Sequence, residues 1–300
     1  MRTHSHQSEL GWWQTARRAA DPRLRRFVHG YFGSVGHLPR AIREWHLPTT
    51  EVPLLLNFAA PHRQRLAGER EEWVELDGSW AVGLRDCHQL TEARGERHFM
   101  VVRFTPLGAH LFLKVPMHLL AGQSIPLAAF DSSLSRLVMS RVSAGKSWDD
   151  RFTAVETLIA ERVLSASVSG SAAWVWNRLS AANGRIALGQ LMSEIECSQR
   201  HLIKEFRTYV GLSPKMVARL FRFNLAIRTL GGLSRSRAGE DTGKPYIEAA
   251  SPRAAGGEEI SWAEIATGAG YYDQPHFIKE FRHFAGSTPA DFLRRTVDVG

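Results

Sequence analysis

The feature that most restricts this chain is a repeat. Residues 201–214 read HLIKEFRTYVGLSP, and residues 276–289 read HFIKEFRHFAGSTP. Shifted by 75 positions, they agree at His, Ile, Lys, Glu, Phe, Arg, Gly and Pro. One supersecondary unit is therefore used twice. Each copy has the layout of a helix-turn-helix. In the second, 260–286, a short helix is predicted over Ile260–Gly268, with Ile260, Ala263 (or Glu264) and Ile265 spaced for burial. Gly268 and Gly270 permit a tight turn, because glycine takes positive φ without steric penalty. Asp273 suits an N-cap and Pro275 a first helical turn. Phe277, Phe281 and Phe284 then form one buried stripe, and Gly286 stops the helix. In the first copy, 186–211, the leading helix is Ile186–Ser193 and the N-cap is Ser198. Leu202, Phe206 and Tyr209 are the expected stripe, Gly211 the stop, and Pro214 opens a helix to Leu230.

The opposite face of each second helix is the one a duplex would meet. It carries Gln199, Arg200, Ile203, Lys204 and Arg207 in the first copy, and Gln274, Pro275, His276, Ile278, Lys279 and Arg282 in the second. A helix fits the major groove, where Arg and Lys reach guanine edges or phosphates, Gln pairs with adenine, and an apolar side chain meets a thymine methyl. Net charge agrees with a polyanionic partner: 38 Lys+Arg against 30 Asp+Glu, or +8. The surplus is uneven. Residues 171–230 carry nine basic against three acidic residues, whereas 231–300 carry eight against ten. The first copy should therefore dominate non-specific attraction to phosphate.

The remainder of the 300 residues divides by pattern. Residues 1–145 show short apolar runs bounded by turn residues: Val52–Phe58, Trp73–Leu76, Trp80–Leu84 and Phe99–Phe104. These predict strands, with a short helix over Leu107–Val115. Helical periodicity begins near Trp148, where Phe152, Val155, Leu158, Ile159 and Val163 form one stripe. Residues 146–170 read as a connecting helix and linker, and 171–300 as an all-α domain. The segment 231–259, rich in Gly, Ser, Pro and charge, reads as a flexible insertion. Its Gly239–Pro245 stretch resembles a phosphate loop but is one residue short, and Pro245 stands where Ser or Thr must hold magnesium. The expected fold class is thus α+β multidomain.

Residues 265–289 closely resemble the signature of the AraC/XylS family of bacterial transcription regulators. The matches are Ile265, Ala266, Gly270, Tyr271, Asp273, Gln274, His276, Phe277, Phe281, Gly286, Thr288 and Pro289. The first copy matches less fully, through Ser198, His201, Leu202, Phe206, Gly211, Ser213 and Pro214. The resemblance implies two helix-turn-helix units joined by a long helix, reading successive major grooves on one side of double-stranded promoter DNA. Two departures stand out: Met192 and Glu196 replace the usual Ala and Gly, and the insertion 231–259 lengthens a normally short joint. The N-terminal half is similar to sensor-type domains of a poorly characterised subgroup, through Trp45–Thr50, Val52–Asn57 and Val101–Ala109. That implies a sheet-rich module, in one form cupin-like, which binds a small-molecule effector or sets a homodimer. RNA polymerase is a further partner if the protein activates.

Other readings are weaker. His201 and His276 either touch DNA or pin the helix start, and Lys204, Lys279 and Arg200 are alternatively solvated charges. The His4–His6 pair lies in what reads as a polar tail, and His46, His88, His98 and His110 lack metal-ligand spacing, so no metal is expected. Cys87 and Cys197 make no disulfide framework or zinc site. Trp45, Trp73, Trp80 and Phe104 read as core rather than pocket. No catalytic signature is found, no cofactor is expected, and no run approaches the roughly 20 apolar residues of a membrane span. A cytoplasmic regulator is the expectation. The alternatives are a DNA-binding protein whose N-terminal half is a reactive-cysteine enzyme or a pure protein-interaction module.

Overall fold

The computed structural model of the chain describes residues 1–59, 61–66, 73–168, 170–195, 198–235 and 261–297. The N-terminal half holds strands β1 (Arg2–Ser8), β2 (Gly11–Ala19), β3 (Val28–His46), β4 (Val52–Asn57), β5 (His62–Leu66), β6 (Val74–Leu76), β7 (Ser79–Val82), β8 (Gln89–Phe104) and β9 (Ser124–Pro126). Helices α1 (Pro106–Leu113), α2 (Leu127–Phe130), α3 (Ser132–Ser143) and α4 (Trp148–Val163) follow or interrupt them. The C-terminal half is helical among the described residues: α5 (Gly170–Ala181), α6 (Leu188–Ser193), α7 (Gln199–Val210), α8 (Pro214–Arg235), α9 (Trp262–Gly268), α10 (Gln274–Ala285) and α11 (Pro289–Val297).

All nine strands join one antiparallel sheet in the order β1-β2-β3-β8-β4-β7-β9, with β5 on the far half of β8 and β6 on β5. Alternation along each strand separates two faces. Val52, Leu54, Leu56, Met100, Val102 and Phe104 face the helices, together with Phe112, Phe152, Val155 and Ile159. Phe32, Leu55, Phe99 and Val101 face the other way and pack with Leu76 and Trp80. Burial of both faces explains why β4 reads as an unbroken apolar run.

The four predicted strand segments are present, but β8 runs 16 residues and β3 runs 19. Sequence reasoning missed β1, β2, β3, β5 and β9. The stretch that reads as a polar tail is in fact a hairpin, with His6 stacked on Trp13 at 4.2 Å. Two glycines of β3 are sites of close approach. A Cβ on Gly33 would lie 2.3 Å from the Trp148 ring, and one on Gly36 would lie 2.4 Å from the Trp12 carbonyl. Pro39 falls where the β3–β8 register shifts, between Leu38 and Ile42.

Helix α4 does not merely connect. Ser147 and Asp150 form its capping box, and its stripe of Phe152, Val155, Leu158, Ile159 and Val163 is buried against the sheet. The same apolar cluster continues through Val175 and Leu179 of α5 to Leu202, Phe206 and Val210 of α7. A second cluster holds Phe277, Phe281 and Phe284 of α10 with Leu220, Phe223, Ala226 and Ile227 of α8. Helix α8 belongs to both, since Val217, Ala218 and Phe221 enter the first.

Substituting Gly33 by Ala should cost about 1–3 kcal/mol of stability, because Trp148 cannot move without disturbing Phe152. Urea unfolding of wild type and Gly33→Ala measures this, and an unchanged midpoint would contradict the packing described.

Candidate nucleic-acid interface

Helix α7 begins at Ser198, whose Oγ accepts from the His201 N–H at 3.3 Å. It ends at Gly211, where φ is 101°. Leu202, Phe206 and Val210 are buried. Helix α10 begins at Asp273, whose Oδ1 accepts from the His276 N–H at 2.8 Å, and ends at Gly286 with φ 72°. Phe277, Phe281 and Phe284 are buried, as predicted. The two helices therefore match in cap, stripe and stop, and Pro214 and Pro289 each open the next helix.

Details of the repeat differ from expectation. Tyr209 is only half-buried; Val210 takes its place in the stripe, and Tyr209 instead meets His110 of α1 edge-on at 4.5 Å. Helix α6 starts at Leu188 rather than Ile186, and α9 at Trp262. Ala263 and Glu264 are exposed, whereas Ile265 and Ala266 are buried. Gly268 ends α9, and Gly270 alone supplies the positive φ of that turn. Residues 231–235 continue α8. The rest of the expected insertion, including Gly239–Pro245, lies outside the described residues, as do Glu196, Cys197 and Ile260.

The outward face gathers the residues singled out from sequence. Gln199, Arg200, Lys204 and Arg207 of α7 are exposed, and Ile203 is half-buried. Pro275, Lys279 and Arg282 of α10 are exposed, with Gln274 and His276 half-buried. Ile278 is half-buried and packs against the second core, so it is partly a structural residue. His276 lies 3.5 Å from Glu280 and edge-on to Tyr271, which orients its ring; His201 is exposed.

Sequence reasoning missed Glu280. It is buried, and its carboxylate accepts from Arg219 Nε of α8 at 2.6 Å, with Arg222 at 3.9 Å. Arg222 also donates to the Gly184 carbonyl at 2.9 Å and lies over the Tyr271 ring. Glu280 thereby ties α10 to α8 by charge. A glutamate in the middle of an exposed-looking KEFR run gives no sign of this. Arg219 and Arg222 are accordingly committed inside the fold, and Arg178 is paired with Glu194 at 2.9 Å. Arg200, Lys204, Arg207, Lys279 and Arg282 make no ion pair among the described residues. Arg185, Lys215 and Arg228 are likewise exposed without an ion pair among the described residues, so unpaired positive charge lies on the outward faces of α7 and α10 and at these positions around them.

Both helices are held at their C-terminal ends by the sheet-bearing half. For α7 the contacts are His110 on Tyr209 and the Met117 main chain against Gly211. For α10 they are Asp86 with His283 at 3.3 Å and the His88 ring against Gly286. Leu47 enters the second apolar cluster, and Asn224 Nδ2 of α8 donates to the Pro48 carbonyl at 3.0 Å. Trp45, expected in the core, is instead exposed and stacks on His88 at 4.4 Å. Phe104 is core, while Trp73 and Trp80 are half-buried. Cys87 is half-buried in the same 83–88 loop. A half-open cleft in the same region is lined by His46, Leu47, Pro48, Thr49, Arg85 and Gln89. No group of three or more metal-ligating side chains occurs among the described residues, and no described helix is long and apolar enough to cross a membrane.

Comparison with known proteins adds the following. A domain family of unknown function, DUF6597, matches residues 16–126. No curated protein matches the chain. Among solved structures, ToxT from Vibrio cholerae is similar at 10% identity and a TM-score of 0.43, over 94% of this chain and 98% of ToxT. ToxT bound to (E)-4-(8-methylnaphthalen-1-yl)but-3-enoic acid matches at 11% and 0.44, over 95% and 99%. A Bacillus subtilis oxalate decarboxylase matches at 18% and 0.24, over 34% of this chain and 28% of that one.

Four histidines, His29 among them, are held below their ordinary value by burial. Burial holds His46, His98 and His110 below the ordinary 6.5; Glu44 opposes this at His46, Arg151 adds to it at His98, and the Val115 carbonyl opposes it at His110. The folded chain therefore prefers these rings neutral. Stability is fully present above pH 6.5 and falls as the unfolded chain takes up protons below it. Urea midpoints should drop between pH 7.5 and 5.5, and His110→Gln should flatten part of that slope. An identical slope in the variant would remove His110 from the account.

Proposed function

We propose that this chain is a sequence-specific DNA-binding transcriptional regulator. In this reading α6 with α7, and α9 with α10, are helix-turn-helix units within a DNA-binding region spanning 171–300. The observation that carries it is the pairing of faces. Positions 199, 203, 204 and 207 recur at 274, 278, 279 and 282 with the same residue types. The Lys and Arg of both sets are exposed while the stripes behind them are buried, and Ile278 packs partly on the second core. A core does not require a Gln, a Lys and an Arg to recur off the buried stripe. The sequence resemblance of residues 265–289 to the AraC/XylS signature supports the same reading.

The roles follow from side-chain chemistry. Arg200, Lys204, Arg207, Lys279 and Arg282 meet phosphates or guanine edges, Gln199 and Gln274 meet adenine, and Ile203 offers an apolar surface to a thymine methyl. His276, held by Glu280, contributes at the helix start. Two such helices on one side of a duplex address grooves about 34 Å apart. The N-terminal sheet region acts as the regulatory part. It reaches α7 through His110 and Met117, and α10 through Asp86, His88 and Leu47, so a small-molecule effector that shifts residues 45–49 or 83–88 changes how the readers are held. An effector works to the extent that it binds one arrangement better than the other. The protein acts in the cytoplasm, without catalysis, and engages RNA polymerase where it activates.

Bound genomic fragments would first be selected with the full chain, and the best site then titrated by fluorescence anisotropy. Arg200→Ala and Lys279→Ala should each weaken binding about tenfold at physiological salt while leaving thermal unfolding unchanged. Each should also lower the salt slope by about one if its contact is a phosphate. Wild-type affinity in both variants would refute the groove assignment.

A further inference from the structure

The outward cations of α7 run toward the sheet-bearing half. Arg200, Lys204 and Arg207 stand at i, i+4 and i+7, on one line along the helix. Gly211, at i+11, continues that line and ends the helix. A Cβ on Gly211 would lie 3.0 Å from the Met117 carbonyl oxygen, so the line stops against the sheet-bearing half. The preceding residues close around the same end: His110 meets Tyr209 at 4.5 Å, and its Nδ1 bonds the Val115 carbonyl at 2.8 Å.

Lys114 lies in this stretch, at the end of α1. It is exposed and makes no ion pair among the described residues. Its Cα lies within about 11 Å of that of Met117, because three residues of chain span no more. Lys215, four residues past Gly211 at the start of α8, is a second exposed cation beside the contact. Acids are scarce around it. Residues 105–130 contain no Asp or Glu, and α7 contains one acid, the half-buried Glu205.

The backbone at Lys114 is unusual as well. Its φ of 59° is left-handed, and its N–H bonds the His110 carbonyl at 2.8 Å, closing α1. Helices α7 and α10 also close on a positive φ, but they use Gly211 and Gly286. Glycine takes this conformation without a Cβ penalty. Among the described residues, Lys114 and Asn183 are the non-glycines with positive φ, and asparagine tolerates that region. A lysine held where glycine is favoured points to a use for its side chain. Complementing the helix dipole is one such use, and it acts on stability alone.

We infer that the sheet-bearing half touches the duplex itself: Lys114 binds a backbone phosphate beside the groove that α7 enters, next to Lys215. The inference rests on the DNA-binding reading and adds a contact from outside residues 171–300. A duplex carries about one negative charge per 1.7 Å of its axis, so one seated on Arg200, Lys204 and Arg207 also brings phosphates past the end of α7. The contact reads no base; it fixes position. It also makes the end of α1 part of the interface, so a shift of α1 against α7 alters affinity directly.

Fragments selected with the full chain provide the duplex, titrated by fluorescence anisotropy over a range of salt. Lys114→Gly should weaken binding about fivefold at physiological salt and lower the salt slope by about one. Its thermal midpoint should stay at or above that of wild type, because the backbone strain is relieved. Lys114→Asn, which suits the same backbone without the charge, should reproduce the loss, and Lys114→Arg should keep wild-type affinity. Weaker binding by Arg200→Ala, with wild-type affinity and slope in Lys114→Gly and Lys114→Asn, would overturn this inference and leave the DNA-binding reading standing. A lowered midpoint in Lys114→Gly with an unchanged slope assigns the lysine to the helix dipole and overturns it too. A wild-type chain that selects no fragment removes both readings.

Discussion

The structure depends on α8 being buried on two sides at once. Val217, Ala218 and Phe221 lock it into the apolar cluster that starts at the sheet. Leu220, Phe223, Ala226 and Ile227 lock it into the cluster beneath α10. Fully burying one such side chain is worth roughly 1.5–3 kcal/mol, so two full stripes make the helix a rigid spacer rather than a tether. Arg219 and Asn224 refine this. Arg219 binds the buried Glu280 of α10, and Asn224 binds the Pro48 carbonyl of the sheet region. A buried charge such as Glu280 is costly unless paired, so the pair fixes where α10 can sit.

A consequence is that the chain is not two independent beads. The first apolar cluster is continuous from Tyr31 and Val102 in the sheet to Phe206 in α7. The second contains Leu47. Helices α7 and α10 are each gripped at the C-terminal end, leaving their outward surfaces open. The 45–49 and 83–88 segments touch α8 and α10, whereas His110 and Met117 touch the end of α7. The contacts differ in kind: His110 on Tyr209 is an aromatic edge contact, whereas Asp86 with His283 is a half-exposed ion pair of the sort worth little by itself.

Much of the C-terminal half was legible because its signals are local. Ser198 and Asp273 as caps, Gly211 and Gly286 as stops, and Phe277, Phe281 and Phe284 as a stripe need only helix geometry to be recognised. The errors arose where a distant element intervened. Tyr209 looks like core by spacing, but α1 lies close enough to draw it sideways onto His110. In β3, nothing local marks Gly33 and Gly36 as the places where Trp148 and the Trp12 main chain come close. Glu280 looks like a solvated charge until Arg219 is placed opposite it.

By itself, the sequence determined the helical caps, the repeat, the outward basic face and the presence of strands, since each depends on residues within a few positions of one another. Tertiary structure alone decided strand order, the length of β3 and β8, the commitment of Arg219 and Arg222 to the interior, and the grip of the sheet on α7 and α10. Those outcomes depend on which surfaces meet across more than a hundred residues. Burial, close packing and charge pairing settle that only once the chain has closed upon itself.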